Sequence, residues 1–365
     1  SVGEQQRVEI IKALYRNAKL LILDEPTAVL TPQEVDTLFE MLNTMAAQGY
    51  TIVFITHKLN EVMELCHRIT VLRHGKVVET VQTSDSTRKT LARMMVGRDV
   101  LFQLEKPPAT PGKEILRVDT LTVRNDKGLI AVRDASLSVR EGEILGIAGV
   151  SGNGQRELID AINGLRPVQS GSVCFDGADI TNAHPEQIIQ RGVGYIPEDR
   201  LHVGLATTLP LPENMVLKSQ RTARFSHGGF LNYSAMRTAT EDLVKDFDIR
   251  TPSVDIPVGR LSGGNIQKII LARELSRNPK LLIANQPTRG LDVGAIEYVQ
   301  QCLLEQRQQG KAILLISENL DETLHLCDRI AVIYEGEIVR ILEAQYTDRR
   351  EIGLIMAGGL KWMKT

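Results

Sequence analysis

The 365-residue chain is 42% apolar and 24% charged, the profile of a globular protein long enough for two cores of ordinary size. Its formal net charge of −2 argues against a general nucleic-acid binder, whose phosphate contacts demand a basic surface. No apolar run approaches the ~20 residues of a membrane span. No secretory signal opens the chain, which begins Ser1-Val2-Gly3-Glu4 without Met and reads as a fragment.

In chain order, Leu20 to Leu23, Thr51 to Thr56 and Ile69 to Leu72 are short apolar runs of buried-strand type. A helical stretch over Gln33 to Gln48 separates the first two. Residues 82–112 read as a linker. It holds a polar run, a short helix over 87–97 and the proline-rich stretch Lys106 to Gly112, which can continue neither helix nor strand. Residues 115–148 add β-rich segments ahead of a glycine loop. Residues 207–259 are more helical and irregular, and read as a separate subdomain. The runs Leu281 to Ala284, Ala312 to Ser317 and Ile330 to Tyr334 return to buried-strand type.

These late runs repeat the early ones. Shifted by 261 positions, Ser1 meets Ser262, Gly3 meets Gly264 and Gln6 meets Gln267. Lys19-Leu20-Leu21-Ile22 meets Lys280-Leu281-Leu282-Ile283, and Pro26-Thr27 meets Pro287-Thr288. Leu65-Cys66 with Arg68-Ile69 meets Leu326-Cys327 with Arg329-Ile330. One gapless register of this length means two copies of one domain. Residues 1–81 read as the C-terminal part of a first copy, 82–112 as the linker and 113–365 as a second copy. Cys66, Cys174, Cys302 and Cys327 form no C-x-x-C pair and read as small reduced core residues.

The glycine loop is Gly149-Val150-Ser151-Gly152-Asn153-Gly154-Gln155-Arg156. Its spacing matches the phosphate-binding loop G-x-x-x-x-G-K-[ST], in which backbone N–H groups surround phosphate oxygens at a helix N-terminus. Gln155 stands where Lys reaches the β- and γ-phosphates, and Arg156 where a hydroxyl ligates Mg²⁺. The first copy's counterpart of this loop falls upstream of Ser1. Taken singly, Asp24-Glu25 beside Pro26 also fits a helix N-cap cluster, and His57 an ordinary surface or core histidine.

Leu261-Ser262-Gly263-Gly264-Asn265-Ile266-Gln267-Lys268 resembles the signature sequence of ATP-binding cassette (ABC) proteins. Leu281-Leu282-Ile283-Ala284-Asn285-Gln286-Pro287-Thr288 resembles the strand that follows it, the Walker B segment. In the first copy the pair reads Ser1-Val2-Gly3-Glu4-Gln5-Gln6-Arg7 and Leu20-Leu21-Ile22-Leu23-Asp24-Glu25-Pro26-Thr27. Thirty-two residues after Glu25, Ile55-Thr56-His57 resembles the switch histidine segment. Pro197-Glu198-Asp199-Arg200 at the Q-loop position and Pro287-Thr288-Arg289-Gly290-Leu291-Asp292 resemble the twin-cassette ATPases of bacterial simple-sugar and nucleoside importers. Gly152-Asn153-Gly154-Gln155 and Leu354-Ile355-Met356-Ala357-Gly358 look closer to the nucleoside branch.

The resemblance implies an α/β fold of P-loop NTPase-like cassettes in tandem, each with an α/β core plus β-rich and helical subdomains. It implies that each ATP lies between two cassettes, bound by the phosphate loop and Walker B of one and the signature of the other. In the first site Asp24 would hold Mg²⁺, Glu25 would activate water and His57 would donate to the γ-phosphate. Ser262, Gly263, Gly264 and Asn265 would offer the signature contacts, and Asp292 the D-loop contact. In the second site Gly149, Gly152, Gly154, Gln155 and Arg156 would face the nucleotide, but Asn285 and Gln286 replace the two acids. Glu318 stands at the histidine position, where an anion about 4 Å from a phosphate costs on the order of 4 kcal/mol at an effective dielectric of 20. The opposing signature Ser1-Val2-Gly3-Glu4 loses a glycine, Thr31 replaces Asp292, and the aromatic that would stack on adenine is missing between Phe102 and the glycine loop. The implied protein is a peripheral subunit on the cytoplasmic face of the membrane. It would dock on permease subunits through Glu198 and residues 207–259, and serve an extracytoplasmic solute-binding protein indirectly. Two other readings stand beside it: a soluble twin-cassette protein of translation or DNA maintenance, and a regulatory remnant that does not hydrolyse ATP.

Overall fold

The computed structural model describes residues 8–9, 12, 18–27, 30, 32–73, 75–97, 106–108 and 110–359. They belong to two compact units: Ser1–Phe102 with Asp292–Glu297, and Gln103–Leu291 with Tyr298–Thr365.

In the first unit β1 (Leu20–Asp24) and β2 (Thr51–Ile55) run parallel, Leu20 opposite Thr51 and Asp24 opposite Ile55. A parallel pair needs a crossover, and α1 (Pro32–Ala47) provides it. Leu38, Leu42 and Met45 recur at helical spacing and are buried with Phe39 and Leu21. Phe39 meets Phe54 edge to face at 6.1 Å. After α2 (Leu59–Leu65), β3 (Arg68–Arg73) and β4 (Lys76–Gln82) form an antiparallel ribbon. Then α3 (Arg88–Val96) begins at a reciprocal Thr87–Thr90 capping box and ends on left-handed Gly97. Its Leu91 and Ala92 are buried with Ile69 and Val71.

The second unit holds β5 (Glu114–Arg124), β6 (Ile130–Arg140), β7 (Ile144–Ala148), α4 (Gln155–Ile162), β8 (Val168–Phe175), β9 (Ala178–Asp179), α5 (Pro185–Arg191) and β10 (Val193–Ile196). Next come α6 (Leu211–Val216), the short hairpin β11 (Ser226–His227) and β12 (Phe230–Leu231), α7 (Tyr233–Asp246), α8 (Gly263–Leu275), β13 (Leu281–Asn285) and, from Tyr298 onward, α9 (Val293–Gln308). β14 (Ala312–Ile316), α10 (Leu320–Leu326), β15 (Arg329–Tyr334), β16 (Glu337–Glu343) and α11 (Arg349–Met356) complete it. An antiparallel sheet of order β6-β5-β8-β9 and a six-stranded sheet of order β10-β13-β14-β7-β15-β16 enclose the main core with α4. In the six-stranded sheet only the β15–β16 pair is antiparallel. Residues 207–259 contain α6 and α7 and bury a small cluster of their own around Val216, Phe225, Met236 and Ala239.

The repeat extends further than the residue matches indicate. α3 and α11 occupy the same register, as do the short 3-10 turns Thr83–Asp85 and Ala344–Tyr346. Gly97 and Gly358 both end their helices at positive φ, 86° and 83°. The expected helix over 87–97 is therefore not free linker but packs on the hairpin that precedes it.

One expectation is corrected. The runs Leu20 to Leu23 and Thr51 to Thr56 form strands but are not buried on both faces: Leu20, Ile22, Val53 and Ile55 are 44–64% exposed. Their counterparts Leu281, Ile283, Leu314 and Ile316 are at most 3% exposed. In the second unit β7 pairs with β14, and the β5-β6-β8 layer with α4 shares a core with these residues. Among the described residues of the first unit no element covers that face. The cysteines are free thiols; Cys302 and Cys327 are buried, Cys66 and Cys174 half-buried.

This asymmetry has a measurable consequence. Ile22→Thr is expected to change the free energy of unfolding by less than ~0.5 kcal/mol, whereas Ile283→Thr costs about 2–3 kcal/mol in lost burial and a desolvated hydroxyl. Urea denaturation of the two variants reads the difference, and equal costs would contradict the burial pattern.

Candidate active site

Both Walker B strands end in the same way. The Glu25 N–H bonds the Ile55 carbonyl at 2.8 Å, and the Gln286 N–H bonds Ile316 at 2.8 Å. Glu25 and Gln286 both take left-handed backbone, φ 45° and 50°, a conformation non-glycine residues adopt only under local constraint. In the first copy this brings Glu25 Oε1 to 2.7 Å from His57 Nδ1. Asp24, one residue earlier, is exposed. The structure therefore pairs the Glu25 carboxylate with the His57 imidazole within the first unit, with Asp24 the exposed last residue of β1.

The second copy keeps the backbone geometry and carries different side chains. Gln286 Oε1 accepts from the backbone N–H of Glu318 at 3.2 Å, and the Glu318 side chain is exposed. Asn285 is 5% exposed and hydrogen-bonds Tyr195; burial pushes the Tyr195 phenol up, with the Asn285 bond working the other way. Asn285, Gln286, Ser317 and Glu318 line a small recess with Gly149, Ser151, Gly152, Gln155, Arg156 and Glu198. This is the mouth at the carboxyl ends of parallel strands, where α/β sheets bind ligands.

The glycine loop follows β7 and opens α4 as its spacing requires. Gly152 and Gly154 are left-handed, φ 90° and 97°. A Cβ on Gly154 would collide with the carbonyl oxygen of Ala131, whereas one on Gly152 meets open space. Asn153 ties the loop down, donating to Val150 O at 2.9 Å and accepting from the Glu335 N–H at 2.7 Å. Gln155 does not reach outward as a lysine would. Its amide turns back to Val150 O at 3.0 Å. Arg156 is largely exposed, with Nε 3.7 Å from Asp160.

In the signature segment Ser262 is the N-cap residue of α8 without a side-chain capping bond. Its Oγ accepts from Asn265 Nδ2 at 3.0 Å, and Asn265 Oδ1 accepts from the Arg250 N–H at 2.8 Å. Ser262 and Gly263 are exposed, and Gly264 half-buried. Arg200 lies beneath: a Cβ on Gly263 would stand 3.9 Å from Arg200 Nη1, and Arg200 Nη2 donates to Arg289 O at 2.6 Å. Arg289 in turn pairs with Glu198. Burial draws the Arg200 guanidinium below its ordinary range. Asp292 is occupied locally, its Oδ1 accepting from the Ala295 N–H at 2.9 Å. The first signature, Ser1 to Glu4, and Thr31 lie outside the described residues.

Sequence reading missed two side chains. Glu61 and Glu322, 7% and 3% exposed, are each hydrogen-bonded to the threonine two residues beyond the Walker B acid position and to the hydroxyl just before the switch position. Both are glutamates at one repeat position, which is the signal that could have found them.

A family profile described as ABC transporter matches residues 1–28 and 132–289. Over 98% of its length the chain is 52% identical to the glucose import ATP-binding protein of Haloferax volcanii, of which it spans 66%. It is 50% identical to the guanosine import ATP-binding protein of Bacillus subtilis and 47% identical to the nucleoside import ATP-binding protein of Lactococcus lactis subsp. cremoris. It covers 98% of itself in each alignment and 70% and 71% of those relatives. Among solved structures, an ATP-binding cassette of an ABC transporter in its ADP conformation matches with TM-score 0.52 and 23% identity over 67% of this chain and 95% of that one. A dimeric cassette in a post-hydrolysis state with ADP and Pi matches with TM-score 0.53 and 23% identity over 63% and 99%. Those likenesses establish the expected α/β cassette fold.

The glycine loop's geometry separates two otherwise similar substitutions. Alanine in left-handed backbone costs ~1 kcal/mol at either position, but Gly154→Ala adds a clash with Ala131 worth about 1–3 kcal/mol more. Chemical denaturation of Gly152→Ala and Gly154→Ala should rank them in that order; the reverse ranking would contradict the loop conformation.

Proposed function

This chain belongs to the ABC transporter family, and on that premise we propose that it is the ATP-hydrolysing, energy-coupling subunit of an importer for nucleosides or simple sugars. The proposal assigns it one consensus site and one degenerate site. The observation that carries it is the Glu25–His57 pair at 2.7 Å, set against Gln286 and Glu318 in the same backbone frame. Residues 1–81 would be the C-terminal part of the first cassette, 82–112 the connection, whose helix α3 packs on that cassette's hairpin, and 113–365 the second cassette.

In the working site Glu25 orients and deprotonates the attacking water, and His57, held by Glu25, donates toward the γ-phosphate. Ser262, Gly263, Gly264 and Asn265 supply a hydroxyl, backbone N–H groups and the Asn265 brace for phosphate oxygens. Asp292 would serve as the D-loop contact. Among the described residues no three His, Cys, Asp or Glu side chains cluster as a metal cage. A lone exposed Asp24 suits Mg²⁺, which keeps waters and takes one or two carboxylates with substrate phosphates. Asp24 would hold that ion, which neutralises phosphate charge when bound. In the degenerate site Gly149, Gly152, Gly154, Gln155 and Arg156 would face nucleotide without supporting hydrolysis.

No helix among the described residues is long and apolar enough to cross a membrane. The proposed place is peripheral, on the cytoplasmic face, against permease subunits that a solute-binding protein serves. The solute class follows the relatives, whose names give glucose, nucleoside and guanosine import. Nucleic acid is not among the proposed partners.

Two outcomes test this reading. The 365-residue chain should release no phosphate from Mg-ATP above background, because its glycine loop offers Gln155 in place of lysine; robust turnover would overturn the assignment. In the intact subunit bound to permease, Glu25→Gln and Gly264→Asp should each abolish turnover, and the double variant should be no worse, since groups that act as a unit are non-additive. Gly3→Asp should be far milder. If Gly3→Asp costs as much as Gly264→Asp, the working site has been placed in the wrong cassette.

A further inference from the structure

We propose that Glu61 is a positioning residue for the Glu25–His57 pair, its buried carboxylate joining the two loops that carry them. Oε1 accepts from Thr27 Oγ1 at 2.6 Å and Oε2 from Thr56 Oγ1 at 3.0 Å. Thr27 lies two residues after Glu25, and Thr56 immediately precedes His57. Lys58 completes the set, with Nζ 3.1 Å from Glu61 Oε1 and donating to Thr27 O and Oγ1 at 3.2 and 3.1 Å. One carboxylate thus spans the Walker B turn and the switch turn, and both of its oxygens are used.

The second copy is an independent instance of the brace. Glu322 accepts from Thr288 Oγ1 at 3.0 Å and Ser317 Oγ at 2.5 Å, with Gln300 Nε2 as third donor at 3.1 Å. The three reacting positions have all changed between copies, yet the carboxylate and both hydroxyls remain. A brace that persists when the chemistry is lost belongs to the frame that sets where the reacting groups stand. In the first copy that frame holds Glu25 and His57 at hydrogen-bonding distance. Displacing a reacting group by about 1 Å can cost on the order of 10²-fold in rate. A buried acceptor one hydrogen bond from each loop is therefore placed to affect the rate. The first copy sets the Lys58 ammonium beside Glu61 where the second copy uses the neutral Gln300 amide, and hydrogen bonds from a charged donor are the stronger kind.

The inference rests on the functional reading above. In the intact subunit bound to permease, Glu61→Gln should lower kcat by about 10²-fold while KM for ATP stays the same. Glu322→Gln removes the equivalent brace and should leave turnover near wild type. In the 365-residue chain both variants should unfold at similarly reduced temperature, and the imidazole ¹⁵N resonances of His57, assigned with His57→Gln, should move in Glu61→Gln but not in Glu322→Gln. Should Glu61→Gln fail to fold, Thr27→Val, which keeps side-chain shape and removes one donor, should lower kcat roughly tenfold. Unchanged kcat and resonances in Glu61→Gln, or an equal loss of kcat in the two glutamine variants, would overturn the positioning role. Persistent turnover in Glu25→Gln would instead overturn the functional reading itself, so the two failures are distinguishable.

Discussion

In both copies the sheet hands over to the site through a single bonded bend. At Glu25 and Gln286 the backbone turns left-handed while the N–H stays on Ile55 and Ile316. That conformation costs ~1–2 kcal/mol for a residue with a Cβ. It is offset by what lies around it: Thr27 is 2% exposed and bonded to Glu61, and Thr288 is bonded to Glu322. The parallel register of β1 with β2, Asp24 opposite Ile55, then decides which residue stands next to His57. Shift that register by one and the acid facing the imidazole would be lost.

The second copy shows how the same frame accommodates uncharged side chains. Its strands are fully buried, and Asn285 is 5% exposed, bonded to Tyr195. An unpaired carboxylate at that depth would be costly unless a cation met it, whereas a neutral amide carries no charge to desolvate. Gln155 follows the same logic. Its amide closes on Val150 O inside the glycine loop, so the loop is stabilised from within. Loss of charge at three positions thus leaves a satisfied polar network.

The repeat made much of this legible before any coordinates. A constant shift of 261 paired the apolar runs that form strands in both copies, because backbone frames follow apolar spacing and turn residues. What stayed hidden was set by packing across the chain. The exposure of Leu20, Ile22, Val53 and Ile55 cannot be read from their composition, which equals that of buried Leu281 and Ile283; it depends on which elements pack on them. The inward fold of the Gln155 side chain and the capping bond of Asp292 are choices among local acceptors that a motif spacing does not specify. Glu61 and Glu322 were visible only as one more identical pair, since a buried carboxylate looks in sequence like any surface glutamate. The helix over 87–97 was recognised, but its packing on the preceding hairpin and its repeat partner α11 were not, because few identical residues mark that stretch.

The signature helix carries a constraint of the same kind at its other end. Glu274, fully buried on α8, accepts from Lys218 Nζ at 2.8 Å, from the Tyr195 N–H at 3.1 Å and from Arg273 Nε at 3.0 Å. Arg273 also donates to Gly204 O at 2.8 Å. Burial drives the Lys218 ammonium down in pKa against the pull of Glu274. On Glu274 burial acts upward, but the neighbouring cations hold the carboxyl below its usual range. Removing one partner from such a cluster leaves a charge stranded without water, so its members stay together. They belong to the strand end before Pro197, to the turn after Arg200, to the segment that follows α6 and to the helix headed by Ser262. Glu274 thus ties Lys218, just beyond α6, and Tyr195, just before the Q-loop position, to the signature helix. Within the second unit the surface proposed to meet a permease and the residues proposed to meet phosphate are joined by a buried ion cluster rather than by loops alone.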